Sequence, residues 1–236
     1  MRPSLSRWCC HNGLFFLDIY LPPNYPNLPP QVHYHSHDNC LNPNLYANGV
    51  VCLSWINIWS GTKAEKWTNG SNILQLLMSI QSLVLNSSPF FNEPIYKLWK
   101  DNKLSTWIKS SNHYNEDAFI LSCKNMKKVI NHPSQNFGEF VVEHFRQRVA
   151  PLIAAIDGYH QGLVSVDQLG MTSASSSCHA LRISSKFKSN LKRIRGHLES
   201  AFASRSIPVP SKPRALSRVS SKPRAPSKDK SEKKYK

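Results

Sequence analysis

Apolar residues change their spacing along this chain, and the changes mark its elements. Residues 14–20, LFFLDIY, are rich in aromatic and β-branched side chains and predict a strand. LPPNYPNLPP at 21–30 holds five prolines in ten residues, which excludes both a helix and a central strand. QVHYHS at 31–36 alternates again and predicts a second strand, and Asn48-Gly49 supplies turn chemistry that tolerates positive φ. From Asn72 to about Asn86 the apolar residues fall at 73, 74, 76, 77, 80, 83 and 84, a wide helical stripe that predicts a largely buried helix ended before Pro89. Residues 116–130 and 138–149 predict two amphipathic helices, with Pro151 starting or kinking a further one, PLIAAIDGYHQGL. Strands come first and helices follow, so the expected class is α+β, not alternating βαβ units.

Beyond a Ser-rich break at 170–180, apolar residues at 187, 191, 194, 198 and 202 predict one more helix with a basic opposite face. Such a helix can dock on the domain or lie on an acidic partner. From Ser206 onward a Pro/Ser/Lys/Arg tract contains SKPRA twice, at 211–215 and 221–225, with too little apolar material to fold.

Charge sharpens this division. Residues 1–180 carry 13 Lys and Arg against 11 Asp and Glu, a balance of +2, whereas residues 181–236 carry 17 against 3, a balance of +14. The net charge of +16 is therefore a property of the last quarter, and the expected folded part is near neutral. Lys/Arg clusters of this kind bind phosphate with strong salt dependence and can serve as a nuclear address. The tail lacks aromatic residues apart from Tyr235, which argues against base stacking. A solvated tail supplying lysines for self-modification is the simpler reading.

No apolar run approaches the ~18 residues that span a bilayer, and MRPSLSRWCCHNG lacks the apolar segment of a secretory signal. The cysteines at 9, 10, 40, 52, 123 and 178 have no repeated spacing, which points to a reducing compartment, cytoplasmic and/or nuclear. His33, His35 and His37 share a strand face with Cys40 close behind, a set that could hold zinc but is equally an ordinary polar face; no metal is expected. Trp55, Trp59 and Trp67 are expected to pack around the loop after Cys52. Cys52 itself, between apolar neighbours after the Asn48-Gly49 turn, is either a small buried hydrophobe or a nucleophile.

LPPNYPNLPPQV, then NPNLYANGVVCLS at 42–54, WSG at 59–61 and the LLMSIQSLVL helix resemble, in one order, the core of ubiquitin-conjugating enzymes, the UBC fold. The resemblance is strongest to the large, divergent plant and animal type with Asn-Pro-Asn-Leu-Tyr before its cysteine. It covers residues 12–165, leaving 1–11 unmatched, 166–180 as linker, 181–204 as the basic helix and 205–236 as a disordered tail. It implies a small antiparallel sheet packed on helices, and acyl transfer with no cofactor of its own. Cys52 would carry ubiquitin as a thioester, received from the activating enzyme and passed to a substrate lysine, with a ligase as further partner. Asn44 would support the oxyanion or the loop, a role in which one donor contributes on the order of 3–4 kcal/mol. In SSPFFNEP, Asn92 and Glu93 compete for the lysine-orienting position, and Glu93 is preferred. Where most members have His before the Pro-Asn, this chain has Asn42, as does the divergent type. The segment between Trp59 and Asn72 is longer than in small members and is expected to bear on substrate or ligase choice.

The family's first helix, a docking surface for the activating enzyme, and its first two strands have no counterpart before Leu14, so N-terminal truncation is expected. The same resemblance therefore carries an alternative, a catalytically impaired ubiquitin-pathway binding protein or truncated product. A third reading, of another class, is weak nucleic-acid or acidic-surface binding through residues 181–236.

Overall fold

The computed structural model describes residues 10–53, 56, 66–97, 105–163, 166 and 183–210. Two short strands, β1 (Leu17–Tyr20) and β2 (Gln31–Tyr34), pair antiparallel with Leu17 opposite Tyr34 and Tyr20 opposite Gln31. Helices follow: α1 (Ile73–Ser79), running on as a π-helical segment over Ile80–Val84, then a 3-10 turn at Pro89–Asn92, α2 (Pro94–Lys97), α3 (Ser105–Asn131), α4 (Gly138–Gln161) and α5 (Ser185–Ser204). This is the α+β arrangement of strands before helices that the sequence predicts.

The Pro-rich loop between the strands contains a cis Tyr25–Pro26 bond. Trp67 is buried against it, its indole N–H donating to the Pro26 carbonyl at 2.7 Å and its ring 5.9 Å from that of Tyr25. Trp67 thus anchors the proline loop; Trp55, Trp59 and the WSG motif lie outside the described residues. The turn after Tyr46 requires its glycine twice over. Gly49 sits at φ +86, and a Cβ there would fall 2.1 Å from the His33 ring.

A capping box starts α1, with Asn72 and Gln75 each accepting the other's backbone N–H. The expectation that this helix is largely buried is wrong. Leu76, Ile80 and Val84 are buried, but Leu74 is 69% and Leu83 59% exposed, and Met78 also faces outward. The buried residues are spaced by four, a single stripe compatible with the widened π turn. Apolar side chains lie on more of its circumference than the described neighbours cover.

α3 starts well before the predicted 116–130. Its first turns, STWIKSSNHYN, have no apolar period, so the pattern conceals them. A carboxamide chain then ties α3 to the sheet: Asn39 Nδ2 donates to Asn125 Oδ1 at 2.6 Å, and Asn125 Nδ2 to the Tyr34 hydroxyl at 2.9 Å. α4 is one helix where a break was expected, with Pro151 in its interior. Buried Val141, Phe145, Val149, Leu152, Ile156 and Tyr159 continue the stripe across the proline, so core packing outweighs the missing donor.

α5 docks on α3 and α4, burying Phe187, Leu191, Ile194, Leu198, Ala201 and Phe202. Its N-cap Ser184 accepts from Phe187 N–H at 3.1 Å while its own hydroxyl and N–H donate to Glu116 of α3, at 2.6 and 3.1 Å. At the other end Arg205 donates to the terminal carbonyls of α3, Ile130 at 3.0 Å and Asn131 at 2.8 Å. Arg195 pairs with Asp157 of α4 and, at 2.9 Å, with Glu199. The predicted basic amphipathic helix is thus part of the core, with its basic face outward. His35 pairs with Asp18 at 2.8 Å, and among the described residues no three metal-ligating side chains converge. No helix among them is long and apolar enough to cross a membrane.

Leu198→Ala should lower unfolding free energy by about 2–5 kcal/mol in a urea titration, because it empties a fully buried site. A pH dependence is also expected. His37 and His144 are held below the ordinary imidazole range, each chiefly by burial. Unfolding restores their proton affinity, so their stabilisation is complete above about pH 6.5 and is lost as pH falls through their folded values. The thermal midpoint should therefore drop between about pH 7 and 5, and His144→Gln should make that drop shallower.

Candidate active site

The loop from Leu41 to Leu53 is held by alternation and by its own asparagines. Leu41, Leu45, Val51 and Leu53 are buried, and bridges pair Leu45 with Asn42 and Val51, and Val50 with His33 of β2. Across this loop Cys52 and Asn44 are joined twice. Cys52 N–H donates to the Asn44 carbonyl at 2.8 Å, and Asn44 Nδ2 donates to the Cys52 carbonyl at 2.8 Å. The carboxamide of Asn44 is thus engaged with the backbone of Cys52, a loop-supporting geometry. Cys52 is 3% exposed.

Behind this pair lies Asn42, whose carboxamide is fully buried. Its Oδ1 accepts the Asn44 N–H at 2.9 Å, and its Nδ2 donates to the Val84 carbonyl at 2.7 Å. That carbonyl ends the π-helical segment and has no helical partner of its own, so a side chain must satisfy it. Asn92 donates to the same carbonyl at 3.0 Å and to Asn42 Oδ1 at 3.2 Å, and Asn86 donates to Asn92 Oδ1 at 2.6 Å. The network therefore runs from the end of the α1 segment through Asn42 to the backbone of Asn44. The pattern exposed Asn42 and Asn92 as motif positions, but nothing in it indicated their joint attachment to Val84, nor the part taken by Asn86.

This also separates Asn92 from Glu93. Asn92 is committed to the network. Glu93 is half-buried just beyond the 3-10 turn, and its charge reaches the hydroxyl of Tyr46. Tyr46 was not singled out from the sequence, although it stands inside Asn-Pro-Asn-Leu-Tyr. Its pKa is raised, first by hydrogen bonding to the Cys52 side chain and then by that side chain's charge, with smaller contributions from burial, Glu93 and Cys40. Cys52, Asn44, Tyr46 and Glu93 form one neighbourhood, with Cys40 exposed at its margin.

A cysteine in an asparagine-braced loop, after a proline-rich hairpin and before a helix, is the arrangement that the resemblance to a ubiquitin-conjugating core implies. Residues 6–115 match the family described as ubiquitin-conjugating enzyme, and this part of the chain belongs to that family. It is 49% identical over 154 residues to probable ubiquitin-conjugating enzyme E2 24 of Arabidopsis thaliana, covering 65% of this chain and 17% of that protein. Putative ubiquitin-conjugating enzyme E2 39 of the same plant is 43% identical over 164 residues, 68% of this chain and 48% of the relative. The dual E2 ubiquitin-conjugating enzyme/E3 ubiquitin-protein ligase BIRC6 of Homo sapiens is 38% identical over 148 residues, 61% of this chain and 3% of the relative. These matches span less than half the length of the relatives.

Asn42→Ala removes a buried donor and acceptor at once. It should cost about 1–3 kcal/mol in urea unfolding, while Gln81→Ala, exposed in the π-helical segment, changes it by under about 0.5 kcal/mol.

Proposed function

We propose that this chain is a ubiquitin-conjugating enzyme that carries ubiquitin as a thioester on Cys52. The observation that carries the reading is the doubly bonded Cys52–Asn44 pair in the loop that holds the cysteine. The Cys52 thiolate attacks the carbonyl of ubiquitin's C-terminal thioester on the activating enzyme. A new C–S bond forms, the old one breaks, and the activating enzyme's thiolate leaves. In the second step a neutral lysine amine attacks the same carbon, the C–N bond forms, and the Cys52 thiolate departs. Glu93 orients the lysine and takes up its proton. Asn44 holds Cys52's backbone in place for both steps, and turning its amide from the Cys52 carbonyl to the reacting one would stabilise the oxyanion. ATP is consumed by the activating enzyme, so the chain itself needs no cofactor.

One observation favours a second reading. At 3% exposure, Cys52 offers little surface to a bulky thioester donor, which suits a ubiquitin-pathway binding protein that is not charged.

Incubation with activating enzyme, ATP and ubiquitin, followed by non-reducing gels, separates the two. Wild type should give a thiol-sensitive adduct, Cys52→Ala none, and Cys52→Ser a thiol-resistant one. Glu93→Gln should charge normally and discharge to free lysine about 10²-fold more slowly. No adduct from folded wild-type protein that still binds ubiquitin would establish the second reading.

A further inference from the structure

α3 and α5 together form a basic groove that the chemistry at Cys52 does not use. Its volume is about 400 Å³. From α3 come Lys124, Lys127 and Lys128, which share one face at helical spacing, and from α5 come Asn190, Arg193 and His197, likewise one turn apart. Aliphatic Ile120 and Ile194 form the floor, and none of the described residues lining it is a carboxylate.

The cations are differently placed. Lys128 is bonded to the His37 carbonyl and lies 3.8 Å from Asp38, so its charge is partly spent on the loop. Lys124, Lys127 and Arg193 have no acidic partner within ion-pairing distance among the described residues. Arg193 donates one N–H to Asn190 Oδ1 at 3.1 Å, which sets the guanidinium and leaves the Asn190 amide as a further donor. Like charges gathered in a concave site repel one another and focus potential on whatever enters. The accessible lining is almost wholly apolar, so the guanidinium, ammonium and amide groups of these side chains are donors around it for a ligand's phosphate oxygens.

We propose that the groove between α3 and α5 binds a compact polyphosphate, a small molecule carrying several phosphate groups. Its volume is that of a small-molecule cavity, at the lower end of the ~300–1,000 Å³ range. Two helices wall it, whereas an extended polyanion needs an open track. A bound polyphosphate would bridge α3 to α5 and neutralise the repulsion between their facing cations.

The test uses the full chain and inorganic tripolyphosphate, titrated by calorimetry at about 0.15 M salt, where exposed charges are screened beyond ~8 Å. One-to-one binding is expected, with a rise in thermal midpoint on saturation. Lys124→Gln/Lys127→Gln should weaken it by about tenfold or more, and Arg193→Gln alone should weaken it too. Lys212→Gln/Lys222→Gln removes equal charge from the C-terminal segment and should change affinity less than about twofold. The groove residues are at the surface, and an unchanged midpoint without ligand will show that each variant folds. Tighter binding of ATP or of inositol hexakisphosphate supports the site and shows which scaffold it prefers. No saturable binding, equal losses in both double variants, or tighter binding of a glutamate-rich peptide or duplex DNA overturns the proposal.

Discussion

The Val84 carbonyl, left without a helical partner where the π-helical segment stops, is met by Asn42, and the geometry around Cys52 is built on that bond. An unmet buried carbonyl costs about 1–3 kcal/mol, and water cannot reach this one as long as Asn42 is fully buried beside it. Satisfying it fixes Asn42 in one rotamer, whose oxygen then positions the Asn44 backbone, and Asn44 in turn holds the backbone of Cys52. Asn42, Asn86 and Asn92 each use side-chain donor and acceptor together. A carboxylate could not donate, and an imidazole would have to take one fixed tautomer.

That support is of a different kind from the acid–base relay of a hydrolase. It places the rigidity in the main chain around Cys52. A thioester carrier has to hold its acyl group without hydrolysing it. Bracing the loop through the main chain suits the carrier role proposed for Cys52.

How much of this could be read from residues alone differs by element. The strands, the Gly49 turn and the Asn44-to-Cys52 spacing were legible because backbone chemistry is local there: proline, Asn-Gly and alternation each constrain φ and ψ directly. Burial was not legible for α1, since Leu74 and Leu83 are as apolar as Leu76 and only the neighbours distinguish them. The early turns of α3 escaped because Ser and Asn carry no periodic signal, and Pro151 misled because the stripe on α4 compensates for it. At the site, Cys52, Asn44 and Glu93 stood out through the motif, whereas Tyr46 and Asn86 act through partners that only folding brings near.

The clamps at the two ends of α5 also bear on how the chain is made. Ser184 reaches back 68 residues to Glu116, and Arg205 reaches back 75 residues to Ile130. The part of α3 that packs on α5, Phe119 against Phe187 among it, therefore lacks that cover until α5 has been synthesised. A chain emerging from its N-terminus at roughly 5–20 residues per second exposes that apolar surface for several seconds before α5 can close over it. Over that interval the order of synthesis, and not the final packing, decides how long this apolar surface faces water.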